Sequence, residues 1–285
     1  MPDTAKQLPK FKRPPVVEVA IAVQFAPPKG LTAAHLGLIW QHYRSRFPRL
    51  EQHPPSPNRV ERTGLRPATQ GLQINFSVGE QIIPRIWMIS ENDCELIQVQ
   101  ADRFARNWRR YHDDHLEYAT FDQIRPQFVS DFGTFRKVIA ELGLGELGVN
   151  QCEVTYVNHI RPGDVWTSHS QLDRVFVGWS SEHLSIGGQE PESAVVRVNY
   201  QLHNAGEFVG RLFVSIDSQY VSKKANGSPA EVVPIFATNL VARGQSIGEG
   251  DEGVMRFIDL GHETIVKFFA QMTTKAMHKA WERIQ

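Results

Sequence analysis

The sequence predicts an α+β protein made of two similar halves, in each of which a long helix packs on one face of a curved antiparallel sheet. β-Branched and aromatic runs of strand length recur along the chain, and two long stretches carry apolar residues at helical spacing. The order of strand, helical element, antiparallel strands and long helix occurs twice, with a break near residues 145–150. Because no residue pattern recurs at a fixed period, this order indicates a structural duplication and not a sequence repeat.

The predicted organisation has three parts. Residues 1–13 form a polar leader, residues 14–148 form the N-terminal α+β half, and residues 149–285 form the C-terminal half. We expect the two halves to pack as one globular unit. With 285 residues, of which 41% are hydrophobic and 22% charged, the chain is long and apolar enough to bury a core without disulfides.

Composition narrows the classes of protein. Cys94 and Cys152 are too few for a disulfide framework, so a reducing, cytoplasmic location is expected. The sequence contains no run of about 18 apolar residues and no apolar leader, so neither a membrane span nor a signal peptide is predicted. The 31 basic and 31 acidic residues cancel, which argues against a protein whose main task is to coat nucleic acid.

The N-terminal half begins with a clear strand signal. Two prolines precede the β-branched run Val16–Phe25, the first predicted strand. A short helix is predicted next, because apolar residues recur there at spacings of three and four. Thr32 is its predicted N-cap, and Pro48 ends it. The proline- and arginine-rich segment 51–70 is predicted to be a long exposed loop.

Three short strands and a long helix complete this half. The strands are predicted at Leu72–Val78, Arg85–Ser90 and Cys94–Ala101. The helix opens at Thr120 or Phe121, is firm from Pro126 onward, and carries an apolar stripe that ends at Gly143.

The C-terminal half repeats this order. A strand is predicted at Cys152–Ile160, followed by an ambiguous short element around Gln171–Phe176. A hairpin turns at Asn204, Ala205 and Gly206, and Val232–Val241 is a further strand. One long helix is predicted from Gly253 to Ile284.

Five segments carry a likeness to known sequences. They are PPVVEVAIAVQF at 14–25, LIQVQADRFARNWRRY at 96–111, FDQIRPQFVSDFGTF at 121–135, CEVTYVNHI at 152–160 and LGHETIVKFFAQMTTKAMHKAW at 260–281. In content and order they resemble a sporadically distributed bacterial family of uncharacterised proteins with an N-terminal PPVVEV-type strand and a C-terminal GHETIVKFF-type helix. The resemblance brings no activity, substrate, cofactor or catalytic residue. It implies a bacterial or phage-borne gene of patchy distribution, as in toxin, antitoxin and anti-phage systems.

The densest polar cluster directly follows the strand that ends at Ala101. Arginines there could hold a phosphate through charged hydrogen bonds while an aromatic face stacks on a base. The candidate ligand-binding residues are Arg103, Arg106, Asn107, Trp108, Arg109 and Tyr111. The alternative is structural: Trp108 and Phe104 anchor a turn in the core, and the arginines pair with Asp102, Asp113 and Asp114.

A second candidate lies on the terminal helix. His262 is one turn from Ile258 and Ile265, so its ring is expected to point towards the sheet. A half-buried histidine can act as a general base, although a structural histidine is the commoner case. Tyr156 and Asn158, on the mid-chain strand, are candidates to line the same cavity.

Other chemistry is not predicted. The HDDHLE segment at 112–117 has residue types that suit Zn, Mn or Fe, but no second cluster supplies the rest of a ligand shell. Motifs for P-loops, dinucleotide binding, hydrolase nucleophiles and zinc sites do not occur. We interpret Cys152 as a small buried hydrophobe. No catalytic residue, metal or cofactor is therefore predicted.

These patterns favour a non-enzymatic recognition protein that binds a protein partner or a small ligand, in the conflict or anti-phage setting that the resemblance implies. One alternative is a nucleotide or nucleic-acid binding module that uses the Arg103–Tyr111 segment. A second is an enzyme with a site around His262. A protein partner is expected, and self-association is left open.

Overall fold

A computed structural model describes residues 7–64, 83–110, 117–180, 182, 185–223 and 231–285. Within these ranges the chain is α+β, with one nine-stranded antiparallel sheet and five α-helices. The strands are β1 (Val16–Phe25), β2 (Arg49–His53), β3 (Arg85–Ile89), β4 (Glu95–Gln100), β5 (Arg103–Arg109), β6 (Val149–Ile160), β7 (Val195–Asn204), β8 (Glu207–Lys223) and β9 (Glu231–Gly244). The helices are α1 (Ala33–Gln41), α2 (Phe121–Glu141), α3 (Leu172–Val175), α4 (Gly250–Met272) and α5 (Lys275–Ala280).

The first strands of the two predicted halves lie side by side in the middle of the sheet. The strand order is β2-β3-β4-β5-β1-β6-β9-β8-β7. β1 pairs antiparallel with β6, from Val16 opposite Asn158 to Phe25 opposite Val149. In each half, the strand that precedes the long helix lies next to the central strand, and earlier strands follow outward. Both halves therefore contribute to one continuous sheet.

The core lies between the sheet and the two long helices. Side chains alternate across a strand, so every second residue of β1 faces the helices, and Val19, Ile21 and Val23 are buried there. Phe104 on β5 packs against the apolar stripe of α2, with its ring centroid 5.1 Å from that of Phe135. This alternation leaves the other face of the sheet, which we call the open face, without a long helix among the described residues.

The long helices α2 and α4 run antiparallel and are joined by ion pairs. Arg125 binds Asp259 in a two-pronged pair, with N···O distances of 2.6 and 2.9 Å. Further along, Arg136 pairs with Asp251. Residues later in α2 thus pair with residues earlier in α4, as expected for antiparallel helices.

Gly261 lets α4 approach the sheet closely. A Cβ atom at this position would lie 3.1 Å from Ala242 Cβ and 3.3 Å from Val154 Cγ2. A Cβ atom there would require these neighbours to move by a few tenths of an ångström, since such distances are shorter than ordinary van der Waals contact. The close approach places the next residue, His262, directly beside the sheet.

Most predicted elements are confirmed, with three corrections in the N-terminal half. Helix α1 ends at Gln41 and not at Pro48, because residues 42–46 continue it only as hydrogen-bonded turns. The Arg103–Arg109 segment is strand β5 and not a turn, because Phe104, Arg106 and Trp108 alternate inward while the residues between them face outward. Arg49–His53 is strand β2, although its last three residues were predicted to belong to a loop. The predicted strand Leu72–Val78 lies outside the described residues. Helix α2 begins at Phe121, before Pro126.

The predicted terminal helix is divided. α4 ends at Met272, and Thr273 and Thr274 adopt extended backbone angles. The Thr274 hydroxyl accepts a hydrogen bond from the Met277 amide at 3.3 Å, so it caps the new helix α5. Two consecutive β-branched residues, one of which is a good cap, favour a break at this point.

The described part of the leader is bound to the C-terminus. The Lys12 amide donates to the Glu282 carbonyl at 3.2 Å, and the Ile284 amide donates to the Lys10 carbonyl at 2.9 Å. The Phe11 ring meets the Trp281 ring edge-on, with centroids 5.8 Å apart. We call the paired segments 7–13 and 281–285 the clasp.

In the part of the chain that the structure describes, none of the helices combines the length and apolar character needed to cross a bilayer.

Candidate functional site

A cavity of about 500 Å³ lies on the helix side of the sheet, at one end of the α2–α4 pair. Its walls come from the start of α2, the middle of α4, strand β6 and the clasp. Apolar side chains form most of the wall, among them Phe121, Ile265, Val266 and Phe269. The polar residues that face it include Tyr118, Tyr156, Asn158 and His262, so three candidate residues from the sequence line one cavity.

Packing from three elements fixes the position of His262. Its ring stacks face to face on Phe121 of α2, with centroids 3.8 Å apart and an interplanar angle of 2°. Its Nδ1 atom lies 2.8 Å from the Tyr156 hydroxyl oxygen on β6, in a hydrogen bond. The close approach of α4 at Gly261 brings these partners within reach. The imidazole is therefore held by a ring stack and a hydrogen bond at once.

The imidazole of His262 is neutral at pH 7. Burial lowers its pKa from the ordinary 6.5 to about 4, although the negative charges of Asp122, Asp259 and Glu263 act in the opposite direction. In the tautomer that carries its proton on Nε2, the ring accepts from the Tyr156 hydroxyl and keeps one N–H donor. His262 thus supplies a hydrogen-bond donor without a charge.

Two tyrosines extend this polar group. Burial raises the pKa of Tyr118 to about 12 and raises the pKa of Tyr156 well above its ordinary value. The two phenol groups lie close enough for each to influence the pKa of the other. Tyr118, Tyr156 and His262 therefore form a group of three neighbouring uncharged side chains, which we call the Tyr–Tyr–His cluster.

Asn158 stands beside this cluster on β6. Its amide nitrogen donates to Thr238 Oγ1 at 3.1 Å, and only 2% of the residue is exposed. The hydrogen bond to β9 fixes the amide plane, so the orientation of the side chain in the cavity wall is set by the sheet.

The Arg103–Arg109 part of the predicted ligand segment is divided between the two faces of the sheet. Arg106 faces the helices, with 2% of its side chain exposed, and binds Asp131 at 2.6 Å and Glu95 at 2.8 Å. Trp108 is buried on the same face. These two residues are committed to the core, and Arg106 has acidic partners other than the predicted Asp102.

The remaining residues of that segment face outward. Arg103 pairs with Glu153 at 2.8 Å, and Arg109 donates to the Asp93 carbonyl at 2.8 Å. Asn107 donates to Glu18. Tyr111, with Asp113 and Asp114, lies outside the described residues. A ligand-binding role for this segment stays a prediction, and the burial of Arg106 and Trp108 disfavours their part in it.

Metal and thiol chemistry find no support in the described residues. No group of three or more His, Cys, Asp or Glu side chains there is arranged to hold a metal ion. Residues 112–116 of the HDDHLE segment lie outside that part of the chain. Cys152 is fully buried, and burial raises its pKa to about 12, as suits a small core residue.

Sequence reasoning missed Tyr118 and Phe121 as cavity residues. Tyr118 follows a charged segment that indicates a turn, and Phe121 belongs to the apolar stripe of α2. Their relation to His262 depends on the packing of α2 beside α4. One indication of this packing was present in the sequence: both predicted long helices carry an apolar stripe that has to pack against a sheet.

The chain matches none of the protein-family models, curated proteins or solved structures with which it was compared. The site therefore has to be interpreted from its own geometry.

Proposed function

We propose that this protein binds a small, neutral, mainly apolar molecule in the cavity beside His262. The observation that carries the proposal is a mainly apolar cavity of about 500 Å³ in which the uncharged Tyr118, Tyr156 and His262 lie together, with Tyr156 hydrogen-bonded to His262. Small-molecule sites are typically concave, mostly apolar and supplied with a few fixed polar groups. This assigns the protein to the ligand-binding branch of the recognition class.

The electrostatics favour a neutral ligand. Among the described lining residues, Lys10 and Asp122 carry charge, and their charges are opposite. The Tyr–Tyr–His cluster offers hydrogen bonds but no charge that could balance a buried ion. Because an unpaired buried ion is costly, the cavity favours a hydroxyl or amide group over a carboxylate or an ammonium. An alcohol, phenol or amide with an apolar body fits these requirements.

Ligand-observed NMR at pH 7 with mixtures of neutral phenols, aliphatic alcohols and amides tests this function. Val266, on the cavity wall, is replaced by Trp to fill the space, and Val129→Trp on the exposed face of α2 is the matched control. We expect members of the mixture to bind the wild type and the control but not Val266→Trp. Binding that survives unchanged in Val266→Trp, or an absence of binding to the wild type, would contradict the proposal.

The same geometry supports the enzymatic alternative. In this alternative the neutral imidazole of His262, whose Nδ1 accepts from Tyr156, acts as a general base towards the Tyr156 hydroxyl inside the cavity. The alternative requires that a bound compound be converted by the wild type and not by His262→Ala. Recovery of the compound unchanged after long incubation with the wild type argues for binding alone.

The wider setting is also a proposal. The likeness of five segments to a sporadically distributed bacterial family supports a role in a conflict or anti-phage system. In such a system, a protein partner would distinguish the ligand-bound protein from the ligand-free protein. The strand order supports a duplicated origin, because both central strands and both long helices are related as antiparallel pairs.

A further inference from the structure

The open face of the sheet carries a second recess, of about 220 Å³, which we call the groove. Small residues at neighbouring strand positions create it: Ala22 of β1 lies opposite Ala105 of β5, and Ala20 lies further along β1. Longer polar side chains surround this floor of alanines, and Ser56 contributes to one wall. The groove and the cavity beside His262 lie on opposite faces of the sheet.

Arg85 brings an uncompensated positive charge to the groove. Its guanidinium donates to Ser56 Oγ at 2.8 Å and to Gln98 Oε1 at 3.2 Å, and both acceptors are neutral. Its Nε atom is buried and has no hydrogen-bond partner in the described part of the chain. Among the residues that the structure describes, no carboxylate lies within ion-pair distance of Arg85. Burial and the nearby charge of Arg103 both lower the pKa of Arg85.

Arg103 has only a shared partner. Its guanidinium lies 2.8 Å from Glu153 Oε2, the same oxygen that Arg243 Nε approaches at 2.5 Å. The Nε atom of Arg103 is also buried without a hydrogen-bond partner among the described residues. Arg103 therefore shares its carboxylate with Arg243, which also reaches Glu61 at 3.5 Å, and the Nε–H of Arg103 remains available at the groove.

The other charged groups around the groove do not neutralise this end. Glu18 lines the groove further along β1, where it accepts a hydrogen bond from Asn107. Asp102 accepts from Asn58 at 2.9 Å and from Gln100 at 2.6 Å. Arg59 lies close enough to Arg103 to feel its charge, and burial is the main cause that lowers its pKa. One end of the groove is thus basic, and the Glu18 end is acidic.

We propose that Arg85 and Arg103 bind the oxyanion, a phosphate or carboxylate, of a small ligand that lies in the groove. Guanidinium groups match such oxyanions by paired N–H···O hydrogen bonds, and a partly desolvated site strengthens them. The ligand is expected to carry no negative charge at its other end, because the carboxylate of Glu18 lines the groove there. This site is separate from the cavity beside His262, so either can fail without the other.

The test follows the arginine side-chain N–H signals by ¹⁵N NMR. The full chain is titrated with inorganic phosphate or with acetate, against sodium chloride at equal ionic strength, which separates a phosphate site from a carboxylate site. We expect the Nε–H signals of Arg85 and Arg103 to shift and saturate with at least one of the two anions. Absence of a saturating shift with both anions would overturn the proposal.

Two variants distinguish specific anion binding in the groove from nonspecific electrostatic attraction to surface arginines. Arg85→Gln removes the unpaired guanidinium and should weaken binding about tenfold, the loss of one charge-assisted contact. Arg197→Gln on the same face removes an exposed arginine, with 60% of its side chain accessible, and should leave binding unchanged. Equal affinity of Arg85→Gln and the wild type, or an equal loss in both variants, would show that the groove is not the site.

Discussion

At the scale of single residues, His262 makes the stability of the protein depend on pH. The pKa of its folded form is about 4, below the ordinary 6.5, so the unfolded chain binds a proton more readily between these values. Its contribution to stability is therefore complete above pH 6.5 and is lost as the pH falls towards 4. His262→Phe, which keeps an aromatic ring on Phe121, should flatten this part of the stability curve.

Urea unfolding at intervals from pH 7.5 to 4.5 measures this effect. The control is His42→Phe, at an exposed position after α1, which should keep the wild-type dependence. The titration of Glu153 lies mainly below the pH range of this measurement. Burial would raise the pKa of this carboxyl, but Arg103 and Arg243 lower it to about 2, so its own loss of stability falls mainly below pH 4.5. An acid dependence of His262→Phe that equals that of the wild type would contradict the assignment.

The ion pair between Arg106 and Asp131 is a structural feature and not a ligand site. Both side chains are 2% exposed, so Asp131→Asn leaves Arg106 with the partly exposed Glu95 as its remaining acidic partner and should cost about 3 kcal/mol of unfolding free energy. Arg106→Met combined with Asp131→Leu removes both charges and should be markedly more stable than Asp131→Asn. Chemical denaturation of the single and double variants decides this, and a double variant as unstable as Asp131→Asn would contradict it.

At the scale of elements, the segment 54–62 is the largely exposed loop that its prolines predict, but it crosses the open face and is tied to it. We call this segment the strap. Three glutamines, on β4, β1 and β6, hold its backbone: Gln100 accepts from the Ser56 amide, Gln24 accepts from the Arg59 amide, and Gln151 accepts from the Glu61 amide. The glutamines lie in one row across β4, β1 and β6. Composition could not reveal this, because the row exists only after the strands have paired.

Glu61 anchors the end of the strap. Its carboxylate is 2% exposed and binds Arg211 at 2.5 Å and Arg243 at 3.5 Å. Glu61→Gln removes the carboxylate that these two arginines share and should release the strap, at a cost of about 3 kcal/mol. Limited trypsin digestion followed by mass spectrometry should show faster cleavage after Arg59, whereas the exposed Glu51→Gln should digest like the wild type. Equal cleavage after Arg59 in both variants would refute the anchor.

The elements that the sequence revealed were those with an uninterrupted period. Val16–Phe25 and the stripe of α2 were predicted from alternation and helical spacing, and both are confirmed. Strand β5 was missed because a buried, ion-paired arginine occupies an inward position, where a pattern of hydrophobicity expects an apolar residue. For the cavity, spacing placed His262 towards the sheet, but its stacking on Phe121 depends on how α2 and α4 pack, which no local pattern contains.

At the scale of the whole molecule, the continuous sheet predicts one cooperative folding unit. Separating residues 14–148 from 149–285 would expose the paired edges of β1 and β6 and the core residues beneath them. We expect a single calorimetric transition for the full chain and no dispersed amide spectrum for either fragment. Two resolved transitions, or one fragment with a native-like spectrum, would show that the halves fold as separate domains.

The proposed function rests on the cavity beside His262. The most direct test is to titrate the uniformly labelled chain with the tightest-binding neutral compound and to follow the methyl signals of Ile265 and Val266 and the ring signals of His262 by NMR. We predict saturating shifts at all three residues and none at the Arg85 and Arg103 side chains on the opposite face. Shifts that leave these cavity residues unchanged and occur elsewhere would contradict the assignment of the cavity as the ligand site.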